Sequence, residues 1–218
     1  SNHQLGAGPL VVAFSGGLDS ACLLQILATL APANNLELLA VTVDHGLRDF
    51  QREAELAASF CQQLAVSHEL VKLPLGLGAR AKEQGRSLSE MARLERYGEL
   101  RRIAAGGSIY LGHHLDDQAE TVLMRLMRGS GLQGLGAMRP VAGDLHRPLL
   151  ALSRQALEAY ASRESVPFME DPSNTSPRYL RNRVRHEVMP ALRGIGESTI
   201  ASVAHSATIL ADQSAVLA

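Results

Sequence analysis

Short apolar runs alternate with stretches of helical periodicity through the first two thirds of the chain, the order expected of repeated βα units around a mostly parallel sheet. The runs Leu10–Phe14, Leu38–Val43, His68–Leu73 and Ile109–Gly112 predict strands. Between them, Ser20–Thr29, Asp49–Leu64, Ser87–Ala105 and Leu115–Met127 carry apolar residues at helical spacing. Leu75–Gly85 holds three glycines and charged residues without a period, which predicts a mobile connection. After Leu150 the pattern changes to a helix over Arg154–Glu164, a Pro-flanked loop over Pro167–Pro177 and an Arg-rich helix over Leu180–Met189. The final stretch, Glu197–Ala218, reads as a helix without a C-cap, the start of a connection to something further on. The expected architecture is α/β: an open, mostly parallel, Rossmann-like sheet flanked by helices, with a C-terminal helical appendage. Residues 1–150 would form the main domain, 151–195 a helical extension of it, and 196–218 the beginning of a linker helix.

At 218 residues the chain is long enough to bury a full core for one such domain. Hydrophobic residues make up 46% and aromatic ones 4%, with no Trp, so Leu, Ala, Val and Ile must build that core. A formal net charge of −1 excludes a protein that holds nucleic acid by counterion release over its whole surface. Any RNA contact must use local patches. Cys22 and Cys61 sit in separate helical runs and form no CxxC pair, which predicts two buried thiols. No apolar stretch approaches the length of a membrane span and no signal core follows the N-terminus, so a cytoplasmic protein without a membrane partner is expected. Ser1 and Asn2 carry no pattern and read as a cleavage scar.

The sharpest chemical signal is Ser15, Gly16, Gly17, Leu18, Asp19 and Ser20, which follow a strand and open a helix. Two glycines permit positive φ and close backbone approach, and the helix start aims free N–H groups and its dipole at an anion. Ser15 and Ser20 can add hydroxyl donors. No Lys ends the loop, so this is not the arrangement that grips a γ-phosphate for transfer. Asp19 is a carboxylate placed to hold Mg²⁺ against phosphates. Gly-Gly turns also join strands to helices in proteins that bind nothing, with Asp or Ser as an N-cap; the complete hexapeptide after the first strand argues for a ligand. It resembles the PP-loop of the ATP-pyrophosphatase family, which implies cleavage of ATP between its α- and β-phosphates and adenylation of an oxygen.

Further signals fall at the carboxyl ends of the other strands, where ligands collect in open parallel sheets. Val43-Asp44-His45-Gly46-Leu47-Arg48 ends the second strand, and His45 either touches adenine or caps a turn closed by Gly46. Gly112-His113-His114-Leu115-Asp116-Asp117-Gln118-Ala119-Glu120-Thr121 follows the fourth strand. With a helix starting near Leu115, Asp116 and Glu120 share a face and Asp117 and Thr121 occupy the neighbouring one. Acidic residues favour a helix start in any case, but capping has no need of two histidines and a glycine. Zinc or a two-metal centre is the other reading of this cluster, disfavoured because no His pair stands at i, i+4. Ala92–Tyr97 places Arg93 within reach of both Arg96 and Tyr97, a spacing that also serves a solvated face.

Ser15–Ser20, Ala92–Tyr97, Gly112–Thr121 and Arg125–Gly136 occur in this order, followed by Glu170-Asp171-Pro172-Ser173-Asn174 and Arg181-Asn182-Arg183-Val184-Arg185. Together they resemble the tRNA(Ile)-lysidine synthetase family over roughly residues 10 to 195. The resemblance implies ATP, Mg²⁺ and L-lysine, and a tRNA(Ile) with a CAU anticodon whose wobble cytidine is modified. It would place Ser15–Ser20 around ATP, and Arg93, His113, Asp117 and Glu120 around the reacting cytosine and lysine. Arg125, Arg128, Arg178, Arg181, Arg183 and Arg185 are the expected RNA contacts, though the last four could form a solvated basic helix. Members usually carry further C-terminal domains that grip tRNA, which implies a truncated or compact form here. A homodimer is compatible with this reading. The alternative is a related PP-loop tRNA thiolase, whose sulfur chemistry needs exposed cysteines or an iron–sulfur cluster. Ligases that amidate small nucleotides have no use for the Arg-rich tail, and a sensor without turnover has none for the full set of loop, carboxylates and Arg.

Overall fold

The structure, a computed structural model, describes residues 9–46, 50–170, 179–196 and 198–216, with side chains through 214. Leu47, Arg48 and Arg178, and residues 171–174 of the later motif, lie outside the described residues. Four parallel strands form the centre: β1 (Leu10–Ala13), β2 (Leu38–Asp44), β3 (Ser67–Lys72) and β4 (Ile109–Tyr110). The hairpin β5 (Val141–Ala142) and β6 (Leu145–His146) completes a sheet of order β3-β2-β1-β4-β6-β5, in which β6 runs parallel to β4 and β5 antiparallel to β6. The expected open, mostly parallel sheet is present, and its short β5–β6 edge was not anticipated. Two-residue strands display no alternation, so no periodicity could reveal them.

β1 is central, and its residues are buried on both faces, as in sheets covered by helices on two sides. Val12 and Phe14 pack with Leu23 and Leu24 of α1 (Leu18–Leu30), Phe60 of α2 (Gln51–Gln63) and Leu157 of α7 (Arg154–Glu164). Val11 turns to the other face, against Tyr97 and Leu100 of α4 (Leu88–Ala104), together with Val41 and Ile109. Each fully buried side chain of this size contributes roughly 1.5–3 kcal/mol. The helix starts follow local rules. Ser87 and Glu90 form a reciprocal capping box at α4, and the Ser153 hydroxyl accepts from the Ala156 N–H at α7.

The expected mobile connection at Leu75–Gly85 is instead a helix, α3 (Leu77–Glu83). Leu77 and Ala81, one turn apart, bury against Met91 and Ala92 of α4. Gly76 and Gly85 stand at its two ends with φ of +82° and +62°, so two of the three glycines that suggested irregularity delimit the helix. Further along lie α5 (Leu115–Met127) and α6 (Leu132–Leu135). The Arg-rich stretch is longer than expected: α8 (Leu180–Arg183) runs through a π-helical turn (Val184–Val188) into α9 (Met189–Ile195). The last helix, α10 (Thr199–Val216), packs Ile200 and Ala204 against Ala119 of α5 and Met189 of α9. Gly136 lets its backbone approach this helix, because a Cβ there would stand 3.1 Å from Ala211 Cα. Among the described residues no helix is long and apolar enough to cross a membrane.

Candidate active site

The chain leaves β1 outward through β2 and β3, then returns to β4 on the opposite side of β1. The crevice beyond the carboxyl ends of β1 and β4 is therefore a topological switch point. Ser15–Gly17 follows β1 and Gly112 follows β4, so the two sharpest motifs meet there. Their contact demands glycine: a Cβ on Gly112 would lie 2.9 Å from the carbonyl carbon of Asp19 and 3.0 Å from the Ser20 nitrogen.

The loop is braced from within. Gly16 takes φ +79°, and its carbonyl accepts from the Met169 N–H at 2.9 Å. The buried Ser20 hydroxyl donates to the Gly17 carbonyl (3.0 Å) and accepts from the Ser15 N–H (3.1 Å). Ser20, expected to reach a ligand, is thus occupied in shaping the loop, while the Ser15 side chain is exposed. Gly17 is the extended N-cap of α1, so the first amides of the helix, from Leu18 on, lack intrahelical acceptors at this end. Asp19 stands in the first turn. Arg154 Nη1 lies 3.0 and 3.1 Å from its two oxygens and His114 Nε2 is 3.6 Å away. Burial raises the Asp19 carboxyl above its usual range against the pull of His114 and Arg154.

Asp116 and Glu120 line one cavity, in keeping with the face they were expected to share, and Asp117 lines another. Asp117 Oδ2 reaches back to accept the His114 N–H at 3.1 Å, and Asp117 and Glu120, three apart, form a second pair through common partners. Two arginines from the α8–π segment cover this pair. Arg181 donates from Nε to Glu120 Oε2 and from Nη2 to Asp117 Oδ1, both at 2.7 Å. Arg185 donates from Nε to Glu120 Oε1 at 2.6 Å, and from Nη2 to Glu120 Oε2 at 3.0 Å and Asp117 Oδ1 at 3.2 Å. Glu120 is 1% exposed. Burial opposes the charge of Asp117, but His114 and Arg181 outweigh it and hold the carboxyl below its usual range. Asp116 points elsewhere: Oδ2 accepts the Arg154 N–H at 2.8 Å and Oδ1 accepts from Arg193.

Neighbouring histidines part ways at this point. His114, 2% exposed, lies among three carboxylates: Asp117 at 3.4 Å, Asp19 at 3.6 Å and Asp116 at 3.7 Å. Burial disfavours its charge, yet the neighbouring carboxylates of Asp116, Asp117 and Asp19 raise its pKa overall. His113 is pushed down to about 3, first by burial and then by Arg147, Arg181 and Arg93. Its Nδ1 is buried without a hydrogen-bond partner among the described residues. His45 is likewise lowered, by burial and Arg96, and its Nδ1 also lacks a partner. The turn beyond β2 is closed by Asp44, whose Oδ1 accepts the Gly46 N–H at 2.8 Å, and not by His45.

Two cavities flank the loop and share Ser15, Gly17, Asp19 and Arg185. One, of about 380 Å³, lies over the strand ends between Val43, Leu111, His45, His113 and Arg93. The other, of about 600 Å³, is lined by His114, Asp116, Glu120, Arg154, Phe168 and Arg193. Arg93 lies 4.9 Å from the centre of the Tyr97 ring, a cation–π contact at the expected spacing. Of the other predicted arginines among the described residues, Arg125, Arg128 and Arg183 lie apart from this assembly. Arg125 donates to the Gly134 and Ala137 carbonyls and secures the α6 turn, Arg128 is exposed, and exposed Arg183 pairs with Glu187 at 3.4 Å. Arg181 and Arg185, expected on RNA, point into the carboxylate pair.

Sequence reasoning missed His114, Arg154 and Arg193 as site residues. Arg154 left a trace: it is the first residue of α7, where a cation opposes the helix dipole. Cys22 and Cys61 are both buried, with thiols pushed up to about 11 by desolvation. Among the described residues no group of three His, Cys, Asp or Glu side chains is disposed to hold a metal ion by itself.

A backbone cradle at the head of the first helix, set at the switch point of a parallel sheet, defines an α/β domain built to hold a nucleotide by its phosphates. The chain belongs to the PP-loop domain family, whose model matches residues 2–192. It is 42% identical over 212 residues to a tRNA(Ile)-lysidine synthase of Pseudomonas syringae pv. tomato, covering 94% of this chain and 46% of that one. It is 43% identical over 218 residues to a tRNA(Ile)-lysidine synthase of Pseudomonas aeruginosa, covering 97% and 48%. The chain thus spans about half the length of the curated relatives it matches. Among solved structures, the U34-tRNA thiolase NcsA from Methanococcus maripaludis with its 4Fe-4S cluster superposes with a TM-score of 0.75 at 20% identity, over 94% of this chain and 73% of that one. NMN synthetase from Francisella tularensis gives 0.52 at 20% identity, over 74% and 63%. At these identities the likeness is one of fold.

Proposed function

We propose that this chain carries the catalytic chemistry of a tRNA(Ile)-lysidine synthase: ATP adenylates the C2 carbonyl oxygen of the wobble cytidine in tRNA(Ile) with a CAU anticodon, and L-lysine then displaces AMP. The observation that carries this reading is the meeting of the braced loop with the Asp117–Glu120 pair across Gly112. A carbonyl oxygen of cytosine is a poor nucleophile and its carbon a poor electrophile, so the base must be activated before an amine can add. The oxygen attacks the α-phosphorus, the bond to the bridging oxygen breaks, and pyrophosphate leaves toward the amides that open α1.

The strand-end cavity suits the adenosine and the cytosine, with apolar walls from Val43 and Leu111 and two neutral histidines that can donate or accept a hydrogen bond without repelling a base. Arg93, with its planar fork, serves the α-phosphate or the carboxylate of lysine. Free lysine has a side-chain pKa of about 10.4, so its ε-ammonium must lose a proton before attack. Asp117 and Glu120 are the carboxylates within the assembly for that ammonium. Arg181 and Arg185 occupy them here, so the amine competes with guanidinium for the same oxygens.

Mg²⁺ fits this site through Asp19, since that ion is commonly held by one or two carboxylates together with substrate phosphates and needs no protein cage. It would supply charge neutralisation at the phosphates. Arg154, which lies against both Asp19 oxygens, is the competitor it must displace. The assay is incorporation of radiolabelled lysine into tRNA(Ile) with a CAU anticodon, dependent on ATP. Absence of incorporation, with pyrophosphate release independent of lysine and of that tRNA, would overturn the proposal.

A further inference from the structure

The geometry points to Arg154 as the residue that receives the departing pyrophosphate, exchanging Asp19 for phosphate oxygens when the nucleotide binds. This rests on the reading of Ser15–Ser20 as the ATP loop. That loop ends in no lysine, and its Ser20 hydroxyl is spent on the Gly17 carbonyl, so the growing charge on the leaving group needs a cation from elsewhere. Arg154 lines the same cavity as Ser15 and Gly17, with its Nη1 at 3.0 and 3.1 Å from the two Asp19 oxygens.

Among the described residues three arginines border this cavity beside the loop, and they differ in what holds them. Arg185 makes three bonds to the buried Glu120 and Asp117, and Arg193 bonds to the buried Asp116. The guanidinium of Arg154 rests on Asp19 and Glu158, both partly exposed, and Asp19 is the carboxylate that would hold Mg²⁺ beside a bound nucleotide. The backbone of Arg154 does not share this freedom. Its N–H is fixed at 2.8 Å by Asp116, itself anchored by Arg193. A guanidinium on an anchored backbone, with an exchangeable partner at the loop, is positioned to transfer from carboxylate to phosphate. Its place in the first turn of α7, against the helix dipole, indicates that folding alone does not call for it. In the adenylation step the α-phosphorus–bridging oxygen bond breaks, its electron pair passes to pyrophosphate, and the Arg154 fork takes up that charge by charge-assisted hydrogen bonds.

Calorimetric titration of the whole chain with Mg-ATP, inorganic pyrophosphate and AMP tests this in wild type, Arg154→Ala and Arg154→Lys. In Arg154→Ala, affinity for ATP and pyrophosphate should fall about ten- to a hundredfold, the scale of a charged hydrogen bond, while AMP affinity stays within about twofold. Arg154→Lys should recover part of the loss, since it restores the charge without the fork. Unchanged ATP and pyrophosphate affinity in Arg154→Ala, or an equal fall for all three ligands, would overturn the assignment. A wild type that binds neither ATP nor pyrophosphate would instead overturn the ATP loop, and this inference with it.

Discussion

The two cavities beside the loop share a wall but treat adjacent residues in opposite ways. His113 faces the strand ends, where Arg93, Arg147 and Arg181 surround it and burial strips its charge. His114 faces the acidic side, where Asp19, Asp116 and Asp117 raise its pKa against burial. One side is thus suited to a neutral base between apolar walls, the other to phosphates and cations. A single peptide bond separates the two environments because successive side chains of extended backbone point to opposite sides, and His114 is extended at the N-cap of α5.

Substitutions of one charged group in each cavity should have the largest effect. Glu120→Ala removes a carboxylate held by both arginines, and Arg93→Ala removes the strand-end guanidinium; each should lower lysine incorporation by about 10²- to 10⁴-fold. Full activity in either variant would remove that residue from the site. Gly112→Ala attacks the contact that brings the two motifs together. Pushing a methyl against the Asp19 backbone should cost about 1–3 kcal/mol in urea unfolding and weaken ATP binding.

The histidine contrast itself is tested by unfolding without Mg²⁺ or nucleotide across pH 4 to 8. His113 has a folded pKa near 3, below its unfolded value, so between these the unfolded chain binds the extra proton and stability falls as pH drops below about 6.5. His114 has a raised folded pKa; its contribution is full below about 6.5 and is lost as pH rises through the folded value. His113→Asn should flatten the acid limb and His114→Asn the alkaline one, with the latter costing about 1–3 kcal/mol at pH 6. Equal pH profiles for both variants would erase the distinction. The smallest effect belongs to the exposed Arg128, where Ala should reduce the salt slope of tRNA binding by about one.

The central strands were legible because β1 and β2 are apolar runs buried on both faces, and α5 and α7 because their periods and end residues agree with their packing. α3 was not, since its glycines mark boundaries that only left-handed φ values reveal. The loop and the His-Asp-Glu stretch after β4 stood out by type and spacing, and the choice of His113, Asp117 and Glu120 within it came from the family resemblance. The arginine partners of the two carboxylates were not legible, because Arg181 and Arg185 stand more than sixty residues away along the chain, beyond any local rule. For the same reason Arg154 was invisible as a neighbour of Asp19.

By itself, the sequence determined the α/β class, the braced turn after β1 and which residue types crowd the strand ends, because these depend on period, glycine conformational freedom and helix starts within a few residues. Tertiary structure alone decided which charges pair, which histidine has its pKa raised and which lowered, and which arginine lies against Asp19. Those outcomes depend on burial and on distances between distant segments, and the energy of a charge is set by what surrounds it in space.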